Sequence, residues 1–247
     1  PIVLLNTLAA GATAVIPPIG KRVAETDPAV LIDLLQTHQV NTSSGSPALF
    51  RPLANYARLH KIQLPHLRRL FIGGAPVPTS LLRDLEPLLP NGDSCVVYGS
   101  SEAEPISHID GQEVLSETAA ETAAGKGLCV GVPVEEVSLR LIDGEIVVAG
   151  DHVNEHYFEN PEAQAAHKIR DDDGRVWHRT GDVGRMDKSG RLWLLGRLND
   201  VIEKDGQRIY ATAVEMAARS TPGVLQAAFV QVNNKAILVI EGTNESL

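Results

Sequence analysis

Apolar positions along the first half of the chain alternate between a helical spacing and short continuous runs. Residues 27 to 40, DPAVLIDLLQTHQV, place Leu31, Leu34 and Leu35 on one face, with Asp27 as an N-cap and Pro28 at the first helical position, so the spacing predicts a helix. Ser46 and Pro47 repeat that opening ahead of ALFRPLANYARLH, where Pro52 is expected to kink or delay the helix because it lacks an N–H. LRRLFIGGAP reads as a strand entering a glycine turn, TSLLRDLEPLL as a helix, and SCVVYG as a second strand entering a second glycine turn. Strands alternating with helices of this length predict an α/β fold with a largely parallel sheet. Upstream, PIVLLNTLAAGATAVIPPI reads as a helix ending near Gly11 and then a buried strand.

From about residue 126 the pattern changes. EVSLRLID, GEIVVAG and GRLWLLG are short strands separated by Gly, Asp and Asn turns, which predicts a small antiparallel sheet or barrel packed on the first layer. The intervening SETAAETAAGKG is low in complexity and polar, and is expected to be a surface loop. After GRLNDVIEKDGQRI come a helix (ATAVEMAARS), a Pro-Gly turn and strands around AAFVQV and AILVI. A domain boundary is expected near Leu198 and Asn199, with residues 1–198 in one domain and 199–247 opening a smaller one. About fifty residues are few for a unit that folds alone.

Composition narrows the classes. The formal net charge is −9 and no basic run stands out, which argues against a sequence-independent grip on nucleic acid. An anionic ligand must then be held by local charges or a metal. Cys95 and Cys129 lie far apart in apolar contexts without metal-ligand spacing, so buried thiols in a reducing, cytoplasmic compartment are expected rather than a disulfide. Ala12-Thr13-Ala14 could be taken for a signal-peptidase site, but there is no initiator Met or basic leader. Asn6, Gly11 and Pro17-Pro18 interrupt any membrane span, and a chain opening at Pro1 in mid-pattern looks cut rather than started.

The two glycine turns carry the candidate chemistry. In open α/β sheets ligands collect beyond the carboxyl ends of strands, where Gly73-Gly74-Ala75-Pro76 and Gly99-Ser100-Ser101-Glu102 stand. Glycine lets backbone approach a base or phosphate, hydroxyls donate to phosphate oxygens, and a carboxylate can hold Mg2+. The same composition also suits ordinary strand-ending turns, and local composition does not separate the two. Gly125-Lys126-Gly127 lacks the rest of a Walker loop, and Val130 stands where a dinucleotide fingerprint needs its third glycine. His152-Val153-Asn154-Glu155-His156 matches H-x-x-E-H, but it follows a strand, whereas zinc chemistry needs both histidines on one helical face.

YGSSE at 98–102, GEIVVAGDHVNEHY at 144–157, HRTGDVG at 178–184 and GRLNDVIEKDGQRI at 196–209 resemble, in order and spacing, the later core motifs of the adenylate-forming superfamily. The resemblance covers essentially the whole chain. YGSSEAEPISHI, GLCVGVPV and RIYATAVE look like the fatty-acyl-activating branch that contains the olefin-pathway β-lactone synthetases. It implies a ligase that activates a small-molecule carboxylate, such as a fatty acid, with ATP and Mg2+ to an acyl-adenylate, followed by capture with coenzyme A. The alternatives are a β-lactone synthetase acting on a β-hydroxy acid, or a non-catalytic nucleotide-binding module.

Carried over by motif, the resemblance places Gly74, Ala75 and Pro76 against adenine, with Tyr98 stacking on it and Gly99 closing the turn. Ser101, where relatives usually have threonine, would meet the α-phosphate, and Glu102 would bind Mg2+. Asp182 would accept from the ribose hydroxyls and Arg197 would add a second ribose contact. Asn199 stands at the hinge of the small domain, where relatives commonly carry Asp or Lys, and Arg208 would approach the phosphate or thiol side after rotation. Locally, Asp182 could equally cap a turn, and Arg197 could pair with Asp200 or Glu203. Glu104 and His108 inherit no role. The small residues Gly45, Ser46 and Ala75 allow an extended acyl tunnel without demanding one. The family's phosphate loop with its lysine normally precedes this stretch and its invariant small-domain lysine follows it, so the expectation is an interior fragment of a larger ligase, inactive alone.

Overall fold

The computed structural model describes residues 2–18, 23–204 and 206–242. The chain divides into two units: residues up to Val96 with Asp110–Gln112, and Val97–Ile109 with everything from Glu113 onward.

In the first unit β1 (Thr42–Gly45), β2 (Arg69–Ile72) and β3 (Asp93–Ser100, entering the second unit after Val96) pair in parallel, with Thr42 opposite Arg69 and Ile72 opposite Val96. The helix Pro28–Thr37 precedes β1, and the helices Pro47–His60 and Thr79–Leu85 connect the strands, which is the predicted α/β alternation. Phe50, Leu53, Leu70, Ile72, Leu81 and Leu85 form the buried core. Asp27 caps its helix as expected, accepting from the Ala29 amide at 2.9 Å. Leu31 and Ile32 bury, while Leu34 and Leu35 are half-buried.

Pro52 neither delays nor ends its helix, which runs unbroken from Pro47 to His60. Only one amide bond is lost there, and the buried Leu49, Phe50, Leu53, Ala54 and Ala57 hold the element by packing. Ser46 precedes that helix without a side-chain cap bond; instead Arg51 ties it to the next helix through Asp84 at 2.6 Å and Ser80 at 2.9 Å. The N-terminal helix spans Ile2–Ala9, with Gly11 left-handed at its end. The strand expected after it is absent from residues 12–18, where Ile16 is exposed; Pro17 and Pro18 supply no ladder donors. Residues 19–22 lie outside the described residues.

The second unit is built on an antiparallel sheet ordered β4-β5-β10-β9-β7-β6, with β8 beside β9. The strands are β4 (Ala103–Asp110), β5 (Leu128–Pro133), β6 (Ser138–Ile142), β7 (Glu145–Ala149), β8 (Lys168–Arg170), β9 (Val176–Met186) and β10 (Leu192–Arg197). Ile106, Leu128, Val130, Ile146, Val148 and Leu192 make its core, which also takes in Tyr98 and Met216. Met216 belongs to the helix Ala211–Arg219, which follows the hairpin β11 (Val201–Lys204) and β12 (Gln207–Tyr210) and precedes the hairpin β13 (Val224–Val232) and β14 (Lys235–Gly242). Both cysteines are buried thiols. No helix among the described residues is long and apolar enough to cross a membrane.

The stretch expected to be a surface loop is helical over Val114–Thr118 and Ala119–Ala123. Val114, Thr118 and Thr122 recur every four residues and are buried, and the second segment packs on the helix Ala211–Arg219. Its low complexity concealed a face of small residues suited to close packing.

Candidate active site

β9 and β10 pair so that Arg197 lies opposite Asp182, and Arg197 Nε sits 3.0 Å from Asp182 Oδ1. Tyr98, near the end of β3, donates its hydroxyl to Asp182 Oδ2 at 2.8 Å. The strand beneath is tied down by its own polar groups. Thr180 Oγ1 donates to the Ile146 carbonyl and accepts from the Asp182 amide, while Glu145 accepts from the Gly181 amide and from Arg179 Nε at 2.8 Å. Arg197 also donates to the Thr180 carbonyl at 3.1 Å. Burial raises the Asp182 carboxyl above its ordinary value, and the Tyr98 and Arg197 contacts only partly oppose it. Burial, then the adjacent Asp182 charge, lifts the Tyr98 phenol well above its own, so it stays a donor.

The turn after β3 brings Glu102 into a second cluster. Gly99, near the end of β3, is required because a Cβ would lie 2.7 Å from the Ala103 carbonyl and 3.2 Å from Glu104 Cα. Tyr157 donates to Glu102 Oε1 at 2.8 Å, and His178 Nε2 stands 3.9 Å from Oε2. Burial disfavours the Glu102 charge, but the Tyr157 hydroxyl and other hydrogen bonds, with His178 nearby, outweigh it and hold the carboxyl below its ordinary value. Burial and then the Glu102 bond push Tyr157 up to about 12. His178, one residue along β9 from Trp177, is buried, and burial followed by the Lys168 cation lowers its pKa. Lys168 donates to the Asn154 carbonyl and lies 5.2 Å from the centre of the Tyr157 ring.

Of the expected site residues, Tyr98, Asp182 and Arg197 are linked by one hydrogen bond and one ion pair, and Arg197 takes Asp182 rather than Asp200 or Glu203. Gly99 lies near the end of β3, and the exposed Ser101 lies on the turn leading to Glu102. Gly74, Ala75 and Pro76 follow β2 in the first unit; Gly74 is left-handed and the Gly73 amide donates to Gly45. Asn199 is exposed on the short turn Leu198–Asp200. Arg208 lies on β12 opposite Glu203, 3.5 Å away, with both side chains mostly in solvent. The H-x-x-E-H stretch is an irregular loop in which His152 Nε2 lies 2.9 Å from the Pro105 carbonyl. Tyr157, Lys168 and His178 were not singled out from the sequence. Tyr157 and His178 sit inside two of the quoted motifs, but their partner Glu102 is more than fifty residues away, beyond any local spacing.

Residues 2–158 match the family model described as AMP-binding enzyme. The chain belongs to that family. It is 38% identical over 250 residues to an olefin beta-lactone synthetase of Stenotrophomonas maltophilia, covering 91% of this chain and 44% of that protein. It is 28% identical to an acyl-CoA ligase of Ajellomyces capsulatus, covering 96% of this chain and 42% of that protein. The O-succinylbenzoate coenzyme A synthetase of Bacillus subtilis, solved in complex with AMP, shares the fold with a TM-score of 0.74 at 23% identity, covering 99% of this chain and 50% of that one. The chain spans less than half the length of the curated relatives it matches.

Proposed function

We propose that this AMP-binding chain is the part of an ATP-dependent carboxylate-activating ligase that holds the nucleotide and its metal. The observation that carries the reading is the chain Tyr98–Asp182–Arg197, in which β3, β9 and β10 converge on one carboxylate. Asp182 Oδ2 accepts from Tyr98 while Oδ1 is ion-paired with Arg197, and both oxygens keep acceptor capacity for ribose hydroxyls. Tyr98 would lie against adenine, with Arg197 as a second ribose contact.

Glu102 fits a divalent cation: it is a hard oxygen donor kept ionised by its hydrogen bonds, with its side chain about a quarter exposed. Mg2+ bound there would offset charge building on the phosphates. The substrate carboxylate attacks the α-phosphorus, forming the acyl–oxygen–phosphorus linkage as the bond to the β-phosphate bridging oxygen breaks and pyrophosphate leaves. Ser101 would donate to the α-phosphate, and Arg208 would act after a rotation about Asn199, where a small domain from 199 onward would turn. The acid is a fatty acid and the acceptor coenzyme A, in a cytoplasmic enzyme. A second reading, internal capture by a β-hydroxyl to give a β-lactone, is favoured by the higher identity to the beta-lactone synthetase.

Pyrophosphate exchange by the full reading frame, with a fatty acid and with a β-hydroxy acid, tests the reaction. Acid-dependent exchange supports it, and none with either acid ends it. Product analysis then separates thioester from β-lactone.

A further inference from the structure

One loop grips Glu102 at two points. The Asn154 amide donates to the Glu102 carbonyl at 2.8 Å, and three residues on, the Tyr157 hydroxyl donates to Oε1 at 2.8 Å. The loop is itself braced. Gln164 accepts from the Tyr157 amide at 3.0 Å and donates to the Glu155 carbonyl at 3.1 Å, and it sits in the helix Pro161–His167, which Asn160 caps through the Ala163 amide. Lys168, just past that helix, donates back to the Asn154 carbonyl, and the His167 ring lies 6.3 Å from that of Tyr157. The phenol therefore has little freedom, and neither has the carboxylate oxygen it holds. At the other oxygen, His178 Nε2 is 3.9 Å away, beyond hydrogen-bond distance, while the Glu102 amide and the Ser100 hydroxyl also stabilise the charged carboxylate.

A carboxylate that binds a small hard cation through one oxygen must have its plane set by an outer partner, since Mg2+ tolerates little departure from octahedral geometry. We propose that Tyr157 is a positioning residue for the metal-binding carboxylate: its hydroxyl secures Glu102 Oε1 and so fixes the plane in which the carboxylate would meet the divalent cation. This inference rests on the assignment of Mg2+ to Glu102. It gives the loop after β7 a task that neither nucleotide contact nor acyl binding assigns to it.

The test is calorimetric titration of the full-length protein with a non-hydrolysable ATP analogue, in EDTA and over a range of Mg2+ concentrations. In Tyr157→Phe the ring stays and only the hydroxyl goes. The Mg2+ concentration giving half the gain in affinity should rise about tenfold, the low end for loss of an outer-sphere partner, with affinity in EDTA unchanged. Gln164→Ala, which keeps the hydroxyl but releases the loop, should shift it the same way by a smaller factor. Equal weakening with and without Mg2+, or no shift, overturns the proposal. If the Phe variant does not fold, an unchanged Mg2+ requirement in Gln164→Ala does the same. Glu102→Gln separates the two ideas. If it abolishes the Mg2+ effect while Tyr157→Phe shifts nothing, only the positioning role falls; if it leaves the Mg2+ effect intact, the assignment of the metal falls and the positioning role with it.

Discussion

Asp182 and Glu102 are both carboxylates of the second unit, both accept a tyrosine hydroxyl at 2.8 Å, and both face a cation-forming side chain, yet their acidities move in opposite directions. At Asp182 burial dominates and the proton is held more tightly. At Glu102, whose surroundings are more open, burial is outweighed by the hydrogen bonds acting together, and the charged form is favoured. Tyr98 reaches Asp182 from within the core, whereas Tyr157 reaches Glu102 from a partly exposed loop. The same donor thus sits beside two different acceptors: a buried carboxyl whose proton is held, and a more open carboxylate kept ionised.

Neutralising Glu102 breaks the comparison most sharply. Glu102→Gln in the full reading frame should lower pyrophosphate exchange by about 10²- to 10³-fold, the usual cost of losing one electrostatic element of a transition state. Gly99→Ala strikes both clusters, because the turn connecting Tyr98 to Glu102 must open to relieve the Cβ contact at 2.7 Å; a loss of about 1–3 kcal/mol is expected in denaturant unfolding. Asp182→Ala leaves the buried Tyr98 hydroxyl without its acceptor and should cost about 1–3 kcal/mol, whereas Asp182→Asn, which keeps an acceptor oxygen, should cost less. Arg197→Ala should change stability by at most about 1 kcal/mol, since 61% of that side chain is exposed, while raising the KM for ATP.

Acidification sharpens the contrast through its sign. The raised Asp182 pKa means the folded state binds that proton more readily than the unfolded chain. Wild type should therefore gain stability relative to Asp182→Asn as pH falls through the folded value, the difference levelling off below the ordinary 3.8. The lowered Glu102 pKa acts the other way: its contribution is present above the ordinary 4.5 and is lost as pH falls through the lower folded value. Paired unfolding curves of wild type, Asp182→Asn and Glu102→Gln should diverge in opposite directions, and parallel curves would show that the two environments do not differ.

Much of the fold was legible locally. Asp27 and Pro28 start their helix as the capping pattern requires, LRRLFI and SCVVYG form neighbouring parallel strands, and ATAVEMAARS is a helix, because each signal lies within one element. The helical segment 114–123 was missed because the partner that buries its small face lies about ninety residues further on, and the strand expected over 12–18 fails because prolines meet a run with no ladder to join. At the candidate site, motif order pointed to Tyr98, Glu102, Asp182 and Arg197, but Tyr157, Lys168 and His178 carried no local mark.

What the chain's own order of residues determined is which side chains stand at strand ends and turns, since capping, periodicity and glycine placement act over a few residues. Which of them meet was decided by tertiary structure. The pairing of β9 with β10 sets Arg197 against Asp182, and the loop returning after β7 sets Tyr157 against Glu102. Those contacts close across tens of residues, and their strength and their effect on acidity depend on burial that exists only once the sheet has formed.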